Sequence, residues 1–167
     1  TVAELARRVF DHLDRRQVLA VGDDGLVAAA VAALAQAGVG RFSFVGAALA
    51  PHGAAQVSPV VSAEALPVAL GNADIVVAAP GAVPLLDKRA VRAAMRSRRG
   101  RAMLLVDVSA GHAAIDSRAA SIDDAFLYTR DDVVRLTQDA PWFQAGRTAQ
   151  RRAAVAEAVR DFSYQLA

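Results

Sequence analysis

Gln17-Val-Leu-Ala-Val-Gly-Asp-Asp-Gly25 opens the part of the chain that decides the fold. Gln17 to Val21 is a short, mostly apolar run closed by a Gly/Asp turn, the pattern of a buried strand. The Ala-rich segment from Leu26 to Ala37 has no breaker and stops at Gly38, which predicts a helix with a glycine terminus. Arg41-Phe-Ser-Phe-Val45 reads as the next strand, and the rhythm then repeats. A short strand is expected over Val57 to Val61, then a helix capped by Ser62 and running to about Leu70. Asp74-Ile-Val-Val-Ala-Ala79 is a strand turned by Pro80-Gly81. Asp87 to Ser97 is a polar-faced helix, and Ala102 to Val108 is the most apolar strand. After a loop to Asp124, Ala125 to Tyr128 forms a strand and Arg130 to Thr137 a helix. Strands alternating with helices imply a mostly parallel sheet covered on both faces. With right-handed crossovers this is an α/β, doubly wound, Rossmann-like domain.

Both ends of the chain stand outside that alternation. Thr1-Val-Ala-Glu4 has the spelling of a capping box, and Val2, Leu5, Ala6, Val9, Phe10 and Leu13 follow at helical spacing. Pro141-Trp-Phe143 breaks the pattern, and Thr148 to Leu166 is a long amphipathic helix with Ala153, Val155, Val159, Phe162 and Leu166 on one stripe. The expected division is a linker helix over 1–15, the Rossmann-like nucleotide-binding domain over 16–140 and the start of a C-terminal helix over 141–167.

The chain has 167 residues, of which 54% are apolar and 22% charged, enough for a core and unlike a disordered segment. The absence of Cys excludes disulfides, thiolate metal sites and a cysteine nucleophile within it. Gly25 to Ala35, the longest near-continuous apolar stretch, is too short to span a bilayer. A start at Thr1 without a basic-then-apolar leader reads as a cytoplasmic fragment with no membrane association. The net charge is only +2, because Arg in place of Lys raises the pI to 9.6 without much excess charge; Lys88 is the single Lys. Arg96, Arg98, Arg99 and Arg101 form a local cluster. It fits contact with RNA or phosphate, or, more simply, a solvated helix end whose cations offset the dipole.

In such a fold the ligand site lies beyond the carboxyl ends of the strands, at the switch point. The first turn would carry Gly-x-Gly-x-x-Gly, whose glycines let a pyrophosphate approach the helix N-terminus. Gly22-Asp-Asp-Gly-Leu-Val27 keeps only the first glycine, with Asp24 and Val27 at the other two positions and Gly25 one residue late. A carboxylate at the pyrophosphate position opposes binding electrostatically unless it turns outward. After the second strand, where an acid would meet a ribose or an Arg a 2′-phosphate, Gly46-Ala-Ala-Leu-Ala50 is uncharged. The candidate cofactor-contacting residues on this edge are Gly22, Asp23, Asp24, Gly25, Leu26, Gly46, Ala79, Pro80, Gly81 and Val108.

Over almost its whole length the chain resembles the NADP-binding domain of glutamyl-tRNA reductases. Val2 to Phe10 followed by Val18-Leu-Ala-Val-Gly22 resembles the family's linker helix and first strand. Leu66-Pro-Val-Ala-Leu-Gly-Asn-Ala-Asp-Ile-Val-Val77 is similar to its LPEALAEADIVI stretch. Arg101-Ala-Met-Leu-Leu-Val-Asp-Val108 and Ala125-Phe-Leu-Tyr-Thr-Arg-Asp-Asp-Val133 resemble RPLLLIDIAVPRDIDP and VYLYDIDDL. Arg147 to Leu166 resembles the start of the long spinal helix that leads to a dimerisation domain, with Trp142 and Phe143 at the hinge. The resemblance implies an NADP(H) domain of a tetrapyrrole-pathway reductase. Hydride would pass to a thioester on a cysteine in a separate N-terminal domain, which this chain does not contain. It also implies partners in the missing catalytic and dimerisation domains, a homodimer through the last helix, and tRNA. The departures lie at the cofactor edge. The family's Asn-Arg-Thr is Gly46-Ala47-Ala48, its Ser-Thr-Gly is Ala79-Pro80-Gly81, and its Pro-Arg-Asp is Gly111-His112-Ala113.

Two readings therefore stand. In one, backbone contacts at Gly22 to Leu26 and Ala79 to Gly81 still hold NADP(H). In the other, a degenerate Rossmann domain has lost the dinucleotide and serves assembly or regulation. For His12, His52 and His112, exposed positions are the simpler expectation than proton donors, and no metal site is expected. Asp107, at the end of a buried strand on this edge, fits a loop-capping role or a ligand contact, the former slightly preferred, and Asp131 and Asp132 fit the first turn of a helix.

Overall fold

The computed structural model describes residues 1–22, 24–45, 56–57, 61–80 and 86–139. Thr1–Val133 forms one compact unit and Val134–Ala167 a second. Gly46, His52, Gly81, Trp142, Phe143 and the expected last helix lie outside the described residues, as does Asp23.

The strands are β1 (Gln17–Val21), β2 (Arg41–Val45), β3 (Gln56–Val57), β4 (Ile75–Ala78), β5 (Met103–Asp107) and β6 (Ala125–Thr129). They form one sheet in the order β3-β2-β1-β4-β5-β6, with every neighbouring pair parallel. The chain winds outward from β1 in both directions, so the switch point falls between β1 and β4. The helices are α1 (Val2–Val9), α2 (Gly25–Gln36), α3 (Leu66–Asn72), α4 (Lys88–Ser97) and α5 (Arg130–Asp139).

Local chemistry explains where most helices begin. Thr1 and Glu4 make the expected capping box on α1. Asp87 accepts from the Ala90 amide at 2.7 Å to start α4, and Ser62 accepts from Ala65 in a 3-10 turn leading into α3. Thr129 and Asp132 bond across the first turn of α5. Two expectations need correction. The first helix stops short of Leu13, because Phe10 turns to an extended conformation (φ −130°, ψ 129°). The third strand is Gln56–Val57 rather than Val57 to Val61, although the Val61 amide still donates to the Phe44 carbonyl of β2 at 2.7 Å.

The core divides by the strand period of two. Leu19, Val21, Val76, Ala78, Met103 and Leu105 pack with Leu66 and Leu70 of α3 and with Val91, Ala94 and Met95 of α4. Their alternates Val18, Ala20, Ile75, Val77, Leu104 and Val106 are equally buried on the other face, where α1 and α2 pack beside one another. α1 buries Val2, Ala3, Leu5 and Ala6 and belongs to the same compact unit as the sheet. No helix among the described residues is long and apolar enough to cross a membrane.

The arginine cluster is not a uniformly solvated helix end. Arg98 is 1% exposed and is the largest fully buried side chain described. Its guanidinium pairs with the Asp74 carboxylate at 2.8 Å and donates to the carbonyls of Arg101 at 3.1 Å, Gly71 at 3.2 Å and Ala102 at 2.7 Å. A further bond goes to the Ala73 carbonyl. All five N–H groups of the fork are used. Asp74 in turn accepts from the Gln17 amide at 3.2 Å, and its backbone joins Gln17 and Leu104. The pair thus ties the amino ends of β1, β4 and β5 to the end of α4. Arg98 continues the buried positions Val91, Ala94 and Met95 at helical spacing, which is why it points inward while Arg96 and Arg99 are exposed.

Candidate functional site

The switch-point edge is built by the ends of β1, β2, β4 and β5. The Gly22 amide donates to the Val45 carbonyl, the Ala79 amide to Val21, and the Val108 amide to Ala78, at 3.0, 3.0 and 2.9 Å. Val21, Val45, Ala79 and Val108 are all buried, so the edge has an apolar floor. Gly22 adopts φ +107°, and a Cβ there would lie 2.7 Å from the Ala79 carbonyl oxygen. Only glycine fits this crossing of β1 past the end of β4. Gly22→Ala is therefore expected to destabilise the fold by about 2 kcal/mol through backbone strain, read as a lowered midpoint in urea. An unchanged midpoint would contradict the close crossing. Loss of ligand in that variant would not by itself locate a ligand at Gly22.

Asp24 is the N-cap of α2. Its carboxylate accepts from the Leu26 amide at 2.6 Å, and its backbone carbonyl accepts from Ala28 at 3.2 Å. One of the amides that a helix N-terminus offers to a phosphate is thus already taken, by a negative charge belonging to the chain. Among the described residues nothing stands within 4 Å of where a Cβ on Gly25 would be. Val27, at the third glycine position, is a buried residue of α2's first turn, and Leu26 beside it is exposed. Pro80 is exposed.

On the β5–β6 side, Asp107 caps the following loop. Its two oxygens accept from the Ser109 amide at 3.0 Å and the Ile115 amide at 2.9 Å, while Ser109 Oγ accepts from Ala114 at 3.2 Å. Beyond this loop lies a depression of about 260 Å³ lined by Asp107, Ser109, Gly111, Thr129, Arg130 and Asp131, among others. His112 is exposed on the same loop, and His12 is exposed at the far end of the chain. No group of three or more His, Cys, Asp or Glu side chains placed to hold a metal occurs among the described residues.

Of the residues singled out from sequence, Gly22, Ala79 and Val108 stand at the ends of β1, β4 and β5 and Asp24 at the start of α2. Sequence reasoning did not anticipate Asp116, which caps a 3-10 turn over Ser117–Ser121. The Arg118 guanidinium, hydrogen-bonded to it, holds the Asp116 carboxyl well below its ordinary value, at about 2. Asp116-Ser-Arg118 was the available signal, an Asx side chain two residues before the amide it accepts.

The profile of the shikimate / quinate 5-dehydrogenase family matches residues 4–136. The chain is 35% identical over 164 residues to the glutamyl-tRNA reductase of Stenotrophomonas maltophilia (strain R551-3), covering 94% of this chain and 36% of that protein. It is 29% identical to the glutamyl-tRNA reductase of Stutzerimonas stutzeri (strain A1501), covering 97% of this chain and 39% of that one. The solved glutamyl-tRNA reductase from Methanopyrus kandleri shares the fold, with a TM-score of 0.70 and 23% identity over 93% of this chain and 38% of that chain. The present chain thus spans well under half the length of the curated relatives it matches.

Proposed function

This chain belongs to the shikimate / quinate 5-dehydrogenase family, and from that premise we propose that it is the NADP(H)-binding domain of a glutamyl-tRNA reductase-like protein. The observation that carries this reading is Gly22. A left-handed glycine pressed against the end of β4, at the switch point of a β3-β2-β1-β4-β5-β6 sheet, supplies the tight turn with which the dinucleotide fingerprint begins. The open backbone at Gly25 supports this reading: Gly22, Gly25 and Leu26 would face the pyrophosphate through their backbone, and Ala79, Pro80 and Val108 would line the nicotinamide side. Bound there, the cofactor supplies a hydride. The parent protein would reduce glutamyl-tRNA to the semialdehyde in tetrapyrrole synthesis, using a cysteine outside this chain. Residues 16–140 would then be the cofactor domain and 141–167 the start of a dimerisation helix, in a cytoplasmic protein.

Asp24 opposes tight binding, since its charge stands where the pyrophosphate charge would develop contact. That favours a second reading, in which the edge has given up the dinucleotide and the domain serves assembly or regulation. An amide-shift titration of the labelled chain with NADPH separates the two. Saturable, concerted shifts of Gly22, Leu26, Ala79 and Val108 are expected. Shifts confined to other regions, or none, would leave only the second reading.

A further inference from the structure

We propose that the groove between α3 and α4 docks an acidic, amphipathic helix of a partner protein. The groove encloses about 800 Å³ on the sheet face opposite α1 and α2, and it is separate from the cofactor edge. Val68 and the small side chains of Ala90 and Ala93 contribute its apolar surface. Val68 is 69% exposed, unusual for a Val beside a helix pair. Three arginines line the same groove from α4: Arg89, Arg92 and Arg96. They recur at i, i+3 and i+7 and so share one helical stripe. Among the described residues no acidic side chain lines the groove, and none of these arginines takes part in an ion pair.

This combination selects the partner's chemistry. A stripe of three guanidinium groups along roughly 10 Å of helix matches carboxylates repeating on one face of a second helix. Val68 and the alanines then receive the apolar residues that alternate with those carboxylates. RNA would satisfy the charge but not the rest. Among the described residues the groove has no aromatic ring on which a base could stack, and the apolar lining would be left unmatched. Arg98 and Arg101, which extend the sequence cluster, take no part: Arg98 is buried on Asp74, and Arg101 approaches the same carboxylate at 3.9 Å.

The test is selection of random 16-residue displayed peptides on the full 167-residue chain, with Arg92→Glu as counter-selection. Peptides rich in Asp or Glu, with Leu, Ile or Phe at helical spacing, should be enriched. Their synthetic forms should bind in a salt-sensitive manner and weaken at least about tenfold with either Arg92→Glu or Val68→Asp. Both positions are exposed, so the melting temperature should not move; that control separates docking from folding. No enrichment, or enriched peptides insensitive to both substitutions, would overturn the proposal. So would an oligouridine RNA that binds in an Arg92-dependent way while acidic peptides do not, which would make this face a nucleic-acid surface.

Discussion

Asp24→Asn is expected to tighten NADPH binding about tenfold while leaving the fold intact. The carboxylate sits at the start of α2 and takes the Leu26 amide at 2.6 Å. A cofactor pyrophosphate delivered to that turn would stand within a few ångströms of it. Two unit charges about 5 Å apart repel by roughly 3 kcal/mol at a surface-like dielectric of about 20. Solvent and salt reduce this to about 1–1.5 kcal/mol, which is near a factor of ten. Asn is as good an N-cap as Asp, so the helix keeps its first hydrogen bond. Only the charge–dipole contribution is lost, about 0.3–1 kcal/mol. Asp24→Ala removes charge and cap together and should gain affinity at a visible loss of stability. Fluorescence titration of the reduced cofactor reads the first effect and thermal melting the second. Equal or weaker binding by Asp24→Asn would show that no phosphate approaches α2.

Arg98→Met should be the most destabilising single substitution outside the apolar core. It leaves the Asp74 carboxylate buried without its guanidinium and removes the donor from four backbone carbonyls. Breaking a buried pair from one side costs about 3–5 kcal/mol. For a unit of this size that lowers the melting temperature by roughly 10–15 °C. Arg98→Lys should fall between, because a point charge with three donors cannot reach every acceptor of a planar fork. Replacing both partners, Arg98→Met with Asp74→Leu, should recover part of the loss by removing the stranded charge. A cost below about 1 kcal/mol for Arg98→Met would mean that the pair is solvated and does not lock the amino ends of β1, β4 and β5.

The parallel sheet was legible because its strands are short apolar runs bounded by turn residues. Gln17–Val21 and Arg41–Val45 fall where the sequence places them. Three helix starts were legible from their capping side chains, at Thr1, Ser62 and Asp87; the caps at Asp24 and Asp116 were not. Phe10 was not, since its apolar side chain keeps the helical period after the backbone has left the helix. Arg98 was misread because a run of arginines looks solvated in one dimension. In three dimensions its position on the buried stripe of α4, and the carboxylate of Asp74 twenty-four residues earlier, decide its place. At the switch-point edge the missing glycines were evident in the sequence. What they leave behind was not: Asp24 turned onto its own helix, and Val27 became part of the core. The exposed stripe of Arg89, Arg92 and Arg96 needed α3 beside it before it read as one wall of a groove.

The reading of this domain as a dinucleotide site is tested most directly by calorimetric titration of the chain with NADPH and, separately, NADH. Saturable heat with both is expected. The two should differ little, because Gly46 to Ala50 carries no charged residue to distinguish a 2′-phosphate from a free ribose hydroxyl. No heat with either cofactor, in the wild-type chain and in Asp24→Asn alike, would contradict a dinucleotide at the switch point and leave a scaffold domain in its place.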